Sequence, residues 1–471
     1  MKRPKNSRWS VFPGVSDNER NVMSVHASIN DLVDDRPGDQ AFHVARRAFT
    51  DPAILDLELS HIFESTWSFV GLTTQIPKPH DYITTFIGRQ PILLMRDGQG
   101  HVGCFLNTCR HRATIVCPFK RGRQKFHVCR YHGWAYDSAG KNTIVTEMDD
   151  GQYPPSFKDA DRNLLRVARF ENYRGLLFAS LSADVPPLSD YLGDAKAFID
   201  LVADQSPVGE LEFVPGEITY TFDANWKLQF ENGLDYYHFN STHASYVDIL
   251  NQRAKSGTSG PLPQEAPDEM EGQGSFSFDH GHAVNWSIKR QSRYGRPLVI
   301  DPAYLAELKA RVGETRIKWM LRQRNLTIFP NLQIIDISSA QLRTWRPLAV
   351  DKTEMTSHCL APVGESAEAR RVRIRNYEDF FNPSGLATSD DNVMYEFCQT
   401  GYEAQAGNTF GHLRGLANGP ISPSGHAQEL GISPVESAFG KPAFGGETNF
   451  HPGYREWRRL LQRHVDGGAD A

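Results

Sequence analysis

Hydrophobic and polar positions change rhythm several times along the chain. The first stretch, to about residue 45, is polar and irregular, and a helical pattern begins near Ala53-Ile54-Leu55-Asp56-Leu57-Glu58. From Phe69 the spacing shortens to the alternation of strands: Tyr82 to Ile87, Pro91 to Met95 and Val102 to Leu106, with Asp97-Gly98 as a turn between the last two. This texture continues to Gly175–Ser180, so residues 60–183 are predicted to form a small all-β domain. Leu188 to Ala203 then reads as a helix, with Phe198, Leu201 and Val202 on one face. Ile218, Tyr220 and Phe222 alternate as a strand, and Trp226 to Phe239 reads as a helix. Leu326 to Val350 holds strands around Pro330-Asn331 and from Gln341 onward. Ala367 to Phe381 is a helix stopped by Asn382-Pro383-Ser384-Gly385. Residues 184–471 are therefore expected to be α+β with antiparallel strands, and residues 1–59 to be an arm and helix packed on them. Two Gly/Ser/Pro-rich stretches, Ser256 to Ser275 and Ala404 to Glu447, are expected to be long surface loops, the first a possible lid.

Composition narrows the class. The 471 residues are 39% hydrophobic and 23% charged, as in globular proteins, and are enough for two domains. A net charge of -5 leaves no basic footprint for nucleic acid. The longest apolar stretch, Gly175 to Ala183, is far short of the ~20 residues that span a bilayer. The basic start Met1-Lys2-Arg3-Pro4-Lys5 is followed by no apolar segment, so no signal peptide and a cytoplasmic location are expected. In that setting Cys104, Cys109, Cys117, Cys129, Cys359 and Cys398 point to metal ligation or burial rather than disulfides.

Cys109-Arg110-His111 and Cys129-Arg130-Tyr131-His132 each offer one thiolate and one imidazole. Thr114 to Phe119, the turn Lys120-Arg121-Gly122-Arg123, and Lys125 to Val128 read as a hairpin that brings the two pairs together as loop tips. Two Cys and two His suit a Rieske [2Fe-2S] cluster, in which thiolates hold one iron and imidazoles the other. A structural zinc site is the rival, but zinc fingers usually pair Cys with Cys and His with His. Cys104 and Cys117 lack such a partner and read as buried core thiols.

Asp235, His238 and His243 form a second constellation. Asp235 and His238 share one helix face. His238 and His243, about 140° apart on a straight helix, can reach one metal only if the helix breaks; Asn240-Ser241-Thr242 is the expected break. Two His need a carboxylate to complete the facial triad of mononuclear Fe(II). Asp390 and Asp391 are the candidates, in a helix that Thr388 or Ser389 is expected to cap. Asp235 reads as a residue that orients a ligand imidazole.

These residues resemble the α subunits of Rieske ring-hydroxylating dioxygenases. The family pattern is met at Cys109, His111, Cys129 and His132, at Asp235, His238 and His243, and at Asp390-Asp391, where the resemblance favours Asp391 as ligand. The likeness is greatest to the benzoate, anthranilate and salicylate branch, through Ile87-Gly88-Arg89-Gln90-Pro91, Asp190-Tyr191-Leu192-Gly193, Asn225-Trp226-Lys227-Leu228 and Tyr377-Glu378-Asp379-Phe380-Phe381. Ala113 stands where the family usually has Gly, Tyr131 where Phe is common, and Phe239 to Asp248 departs from the benzoate-type pattern.

The resemblance implies a Rieske domain joined to a helix-grip catalytic domain, assembled with a small β subunit as α3β3. A separate NAD(P)H-dependent reductase or ferredoxin would supply electrons, and O2 and an aromatic carboxylate would be the substrates. It also implies that Asp235 bridges His132 of the adjacent subunit to His238. Arg343 and Arg346 are cations available for a carboxylate, with no pattern that selects either. The alternatives are a salicylate 1-hydroxylase-type monooxygenase and a Rieske electron carrier without oxygenase activity.

Overall fold

The structure is a computed structural model that describes residues 29–256, 272–287, 296–404, 411–419, 424–440 and 445–467. Three small antiparallel sheets make up the region from Ser68 to Ser180. One runs Val102–Leu106, Gln90–Arg96, Asp81–Ile87, Arg121–Arg123; the second runs Asn142–Ile144, Ala135–Asp137, Phe126–Val128; the third runs Arg169–Tyr173, Leu176–Ser180, Ser68–Leu72. The expected hairpin from Thr114 to Val128 does not form. Arg121–Arg123 is a strand on Asp81–Ile87, and Phe126–Val128 pairs forward with Ala135–Asp137.

The rest is built on a nine-stranded sheet. Its order is Leu211–Phe213, Lys352–Pro362, Ala340–Ala349, Leu332–Asp336, Gln323–Ile328, Ala283–Ser287, Gln273–Ser277, Glu436–Phe439, with Ile218–Phe222 also on Lys352–Pro362. Register gives the sheet two characters. Val284, Leu326, Ile334 and Leu342 align across it and join a core with Phe198, Ile199 and Trp319. Their strand neighbours Asn285, Asn325, Ile335 and Gln341 point to the other face, because side chains alternate along a strand. Helix Trp226–Asn232 lies on that second side, capped by Asn225, whose Oδ1 accepts from Lys227 N.

A buried ion pair ties the N-terminal arm to this helix. Glu58 accepts hydrogen bonds from Lys227 Nζ at 2.6 Å and from the indoles of Trp226 and Trp457, each at 2.7 Å. Three donors on one carboxylate meet the condition under which a buried charge is tolerated. Around them Ile54, Leu55, Phe63, Phe230, Tyr454 and Leu461 form one core.

Several elements differ from the sequence reading. The helix expected over Leu188 to Ala203 is split at Gly193 into Leu188–Leu192 and Lys196–Ala203. Helix Trp226–Asn232 stops before reaching Phe239. Ala404 to Glu447 is no plain loop: it carries helix Gly425–Leu430 and edge strand Glu436–Phe439, whose pairing partner lies far off in sequence. Gln273–Ser277 is a strand, and the rest of the suggested lid, 257–271, lies outside the described residues, as do 1–28 of the arm.

Candidate metal centres

Two hydrogen-bonded turns present the first set of candidate ligands. Cys109 N donates to Thr114 O at 2.8 Å and Ala113 N to Cys109 O at 2.9 Å; Cys129 N donates to Trp134 O at 2.8 Å and Gly133 N to Cys129 O at 2.9 Å. The fifth residue of each turn is left-handed, Ala113 at φ +56° and Gly133 at φ +75°. The turn thus survives with alanine where glycine is the easier residue. Cys109 and Cys129 are buried, while His111 is exposed and His132 half-buried, their rings 4.4 Å apart. His111 stacks on Trp134. Tyr136 Oη lies 3.2 Å from Cys109 Sγ and accepts from Arg110 N at 3.0 Å. No three of the four ligand atoms converge as a single-ion site would require. Thiolates inside and imidazoles outside fit a two-iron cluster instead.

Cys104 and Cys117 are buried among apolar side chains, and burial pushes the Cys104 thiol up. Ile115, Phe119, Phe126, Val128 and Tyr131 are exposed around the turns, interspersed with Arg112, Lys125 and Arg130.

The second set converges on one point. His238, His243 and Asp391 offer ligand atoms within 4.8 Å of one another, the one such three-residue cluster among the described residues. Asp391 Oδ1 is 3.4 Å from His238 Nε2 and 3.2 Å from His243 Nε2. The chain reaches this geometry by two interruptions. The helix ends at Asn232, and His238 then starts the single turn Phe239–Thr242, which His243 closes at φ -103°, ψ 27°. The expected break at Asn240-Ser241-Thr242 is thus helical, and the kink falls on His243 itself. Neither Thr388 nor Ser389 caps the Asp391 helix; Ala387 holds that position, and Thr388 Oγ1 donates to Phe381 O.

Each imidazole has a carboxylate behind it. Asp235 Oδ2 is 3.3 Å from His238 Nδ1, and Asp390 Oδ2 is 3.7 Å from His243 Nδ1. Neither Nδ1 makes a well-directed hydrogen bond, so these are electrostatic neighbours. Burial opposes charge on His238, yet Asp235 and Asp391 outweigh it and hold its pKa up at about 10. Burial likewise opposes charge on Asp391, but the two imidazoles hold its carboxyl well below the ordinary range. A divalent metal held by these three side chains would take the place of the proton they favour.

The sequence reading missed two contributors. Asn232 Nδ2 donates to Asp391 Oδ1 at 3.1 Å and lies 3.3 Å from His238 Nε2. At Gly233 a Cβ would sit 1.8 Å from the Gln333 side chain. The dipeptide Asn232-Gly233 is a turn signal inside the helical pattern and marks the true helix end. Arg343, by contrast, is beside Asn232, while Arg346 pairs with Glu354 away from the cluster.

Comparison with known proteins agrees with this geometry. Residues 66–155 match the Rieske [2Fe-2S] domain, and residues 212–452 match the ring-hydroxylating α subunit catalytic domain. The chain belongs to the ring-hydroxylating α subunits: it is the large subunit of a Rieske oxygenase, an oxidoreductase with a [2Fe-2S] domain and a catalytic domain of the kind that binds mononuclear iron. It is 40% identical over 417 residues to the 2-halobenzoate 1,2-dioxygenase large subunit of Burkholderia cepacia, covering 88% of this chain and 89% of that one. It is 38% identical to the anthranilate 1,2-dioxygenase large subunit of Acinetobacter baylyi, covering 94% of each. In fold it matches naphthalene 1,2-dioxygenase from Rhodococcus sp. with a TM-score of 0.75 and 24% identity, over 95% of this chain and 99% of that one. Subunits of this family oligomerise and draw electrons from a reductase or ferredoxin. No helix among the described residues is long and apolar enough to cross a membrane.

Proposed function

We propose that this chain hydroxylates an aromatic carboxylate in the cytoplasm, with Cys109, His111, Cys129 and His132 holding the cluster and His238, His243 and Asp391 holding the iron. The observation that carries the reading is the convergence of two imidazoles and one carboxylate on one point, the ligand set of a facial triad that leaves a metal's remaining positions to substrate and O2. Relatives named for 2-halobenzoate, toluate and anthranilate support the substrate class. Iron bound there supplies activation of O2, with electrons that arrive through the cluster. The chain's own part is to orient ligands and ring: Asp235 and Asp390 stand behind the imidazoles, and Asn232 steadies Asp391.

The cluster histidines lie at the surface, and Asp235 is half-buried beside Tyr237, which is 60% exposed. This placement supports electron entry from an adjacent subunit, with Asp235 bridging its His132 to His238. A β subunit completing α3β3 belongs to the same reading. The test is product analysis with labelled O2 on benzoate, anthranilate and salicylate, using the purified oxygenase and its reductase. Two labelled atoms in the product support dioxygenation, and one supports the monooxygenase alternative. No oxidation of any aromatic carboxylate would overturn the reading.

A further inference from the structure

The sheet face toward the Asp391–His238 cluster carries polar side chains where a core would carry apolar ones. By register, Asn325, Ile335 and Gln341 lie side by side across three strands, and Thr327, Gln333, Arg343 and Ser357 form the next row. Arg343 is 5% exposed, yet no carboxylate lies within ion-pair distance of it among the described residues. Its Nε donates to Gln333 Oε1 at 2.9 Å and its Nη2 to Asn232 Oδ1 at 3.4 Å, and Nη1 donates to neither. Three other buried arginines of this domain are paired with carboxylates: Arg296 and Arg324 share Asp336, and Arg373 pairs with Glu365. Arg322 has no carboxylate partner among the described residues either, but its guanidinium lies 3.8 Å over the Trp319 ring, so only Arg343 combines the lack of an ion pair with a place beside the Asp391–His238 cluster. A buried guanidinium held only by neutral amides is a standing deficit of negative charge.

Gln341 is its neighbour two residues back on the same strand and face, about 7 Å along it. It is 1% exposed. Its Nε2 donates to Ser357 Oγ at 2.7 Å and to Phe381 O at 3.2 Å, which fixes the amide the right way round. Its Oε1 is buried and accepts nothing among the described residues. Arg343 is one residue removed from the cluster, and Gln341 is joined to it through the Phe380-Phe381 pair. Asn232, which touches Arg343, also touches Asp391 and His238, and Phe380, next to Phe381, packs on the His243 ring.

We propose that Arg343 and Gln341 form a two-point clamp for the substrate: the guanidinium takes the ring carboxylate, and the Gln341 carbonyl accepts from an N–H or O–H on the adjacent ring carbon. The inference rests on the aromatic-carboxylate reading and sharpens it. The preferred substrates are benzoates with an ortho amino or hydroxyl group, rather than benzoate or an ortho-halogenated benzoate, which offer Gln341 no donor.

The test measures kcat/KM of the full oxygenase with its reductase for anthranilate, salicylate, benzoate, 2-chlorobenzoate and benzamide, with iron content and the cluster's visible spectrum checked for every variant. In the unaltered enzyme the ortho-donor substrates should lead benzoate and 2-chlorobenzoate by roughly tenfold or more. Gln341→Met should erase that lead. Arg343→Gln should raise KM for the carboxylates far more than for uncharged benzamide, and where Arg343→Gln fails to hold iron, Arg343→Lys decides by the same ratio. Carboxylates oxidised with no ortho-donor preference, a preference that survives Gln341→Met, or equal losses on benzoate and benzamide would overturn the clamp alone. Failure of the unaltered enzyme on every aromatic carboxylate would overturn the substrate reading and the clamp together.

Discussion

Asp390 and Asp391, adjacent in sequence, address opposite edges of one imidazole. Asp391 Oδ1 lies 3.2 Å from His243 Nε2, and Asp390 Oδ2 lies 3.7 Å from His243 Nδ1. Consecutive residues on a helix point about 100° apart, so one reaches the cluster and the other passes behind the ring. Asp391→Ala should remove the mononuclear iron and leave the cluster spectrum intact. Asp390→Asn should keep iron but weaken its hold by about 10–100-fold, as loss of an orienting partner does. Metal analysis after graded chelation distinguishes the two, and equal iron loss would contradict the assignment.

Asp235 stands behind His238 as Asp390 stands behind His243, and also accepts from Tyr237 N at 2.7 Å. Asp235→Asn should retain both metal centres and stop the passage of electrons between them. Single-turnover oxidation of the reduced cluster reads this directly, and a normal rate would refute the bridge.

Tyr136 Oη is 3.2 Å from Cys109 Sγ. A hydrogen bond to the sulfur favours the reduced cluster, which carries more negative charge. Tyr136→Phe should therefore lower the potential by about 50 mV, the one-electron equivalent of a hydrogen bond worth about 1 kcal/mol. Voltammetry on the purified protein gives the value, and an unchanged potential would dismiss the contact.

Ala113 adopts φ +56° in a turn whose counterpart uses Gly133. The left-handed conformation costs an L-residue about 1–2 kcal/mol, partly offset by the lower entropy of unfolded alanine. Ala113→Gly should stabilise the turn by about 0.5–1 kcal/mol. The expected readout is slower bleaching of the cluster on heating; faster bleaching would mean that the alanine methyl packs favourably.

Glu456 is buried, which opposes its charge, but His280 and Arg459 lower its pKa to about 2. A depressed carboxylate contributes stability above its ordinary pKa and loses it as pH falls through the folded value, here between about 4.5 and 2. The contribution at neutral pH is at most about 3 kcal/mol. Thermal unfolding should show a gap between the unaltered protein and Glu456→Gln at pH 7 that closes below pH 4.5. A gap that is constant with pH would rule out the ion pair as its source.

The candidate ligands stood out because their chemistry depends on residue type and short spacing: Cys109 with His111, Cys129 with His132, and His238 with Asp235 three residues before it. Strand alternation likewise marked Tyr82 to Ile87 and Val102 to Leu106, since each half-buried strand records its two faces in its own residues. Partner choice left no such mark. Nothing local says that Phe126–Val128 pairs with Ala135–Asp137 rather than folding back on Thr114 to Phe119, or that Glu436–Phe439 closes the large sheet.

By itself the sequence determined which side chains are able to bind metals and which segments have the periodicity of strand or helix. Only the tertiary structure brought Asp391 rather than Asp390 between the two imidazoles, put the kink on His243, placed Asn232 against Asp391, and left Arg343 buried with no carboxylate beside it among the described residues. These outcomes depend on contacts between residues up to 159 positions apart, as from Asn232 to Asp391. Such contacts form when sheet and helix pack together, and no window along the chain contains both partners.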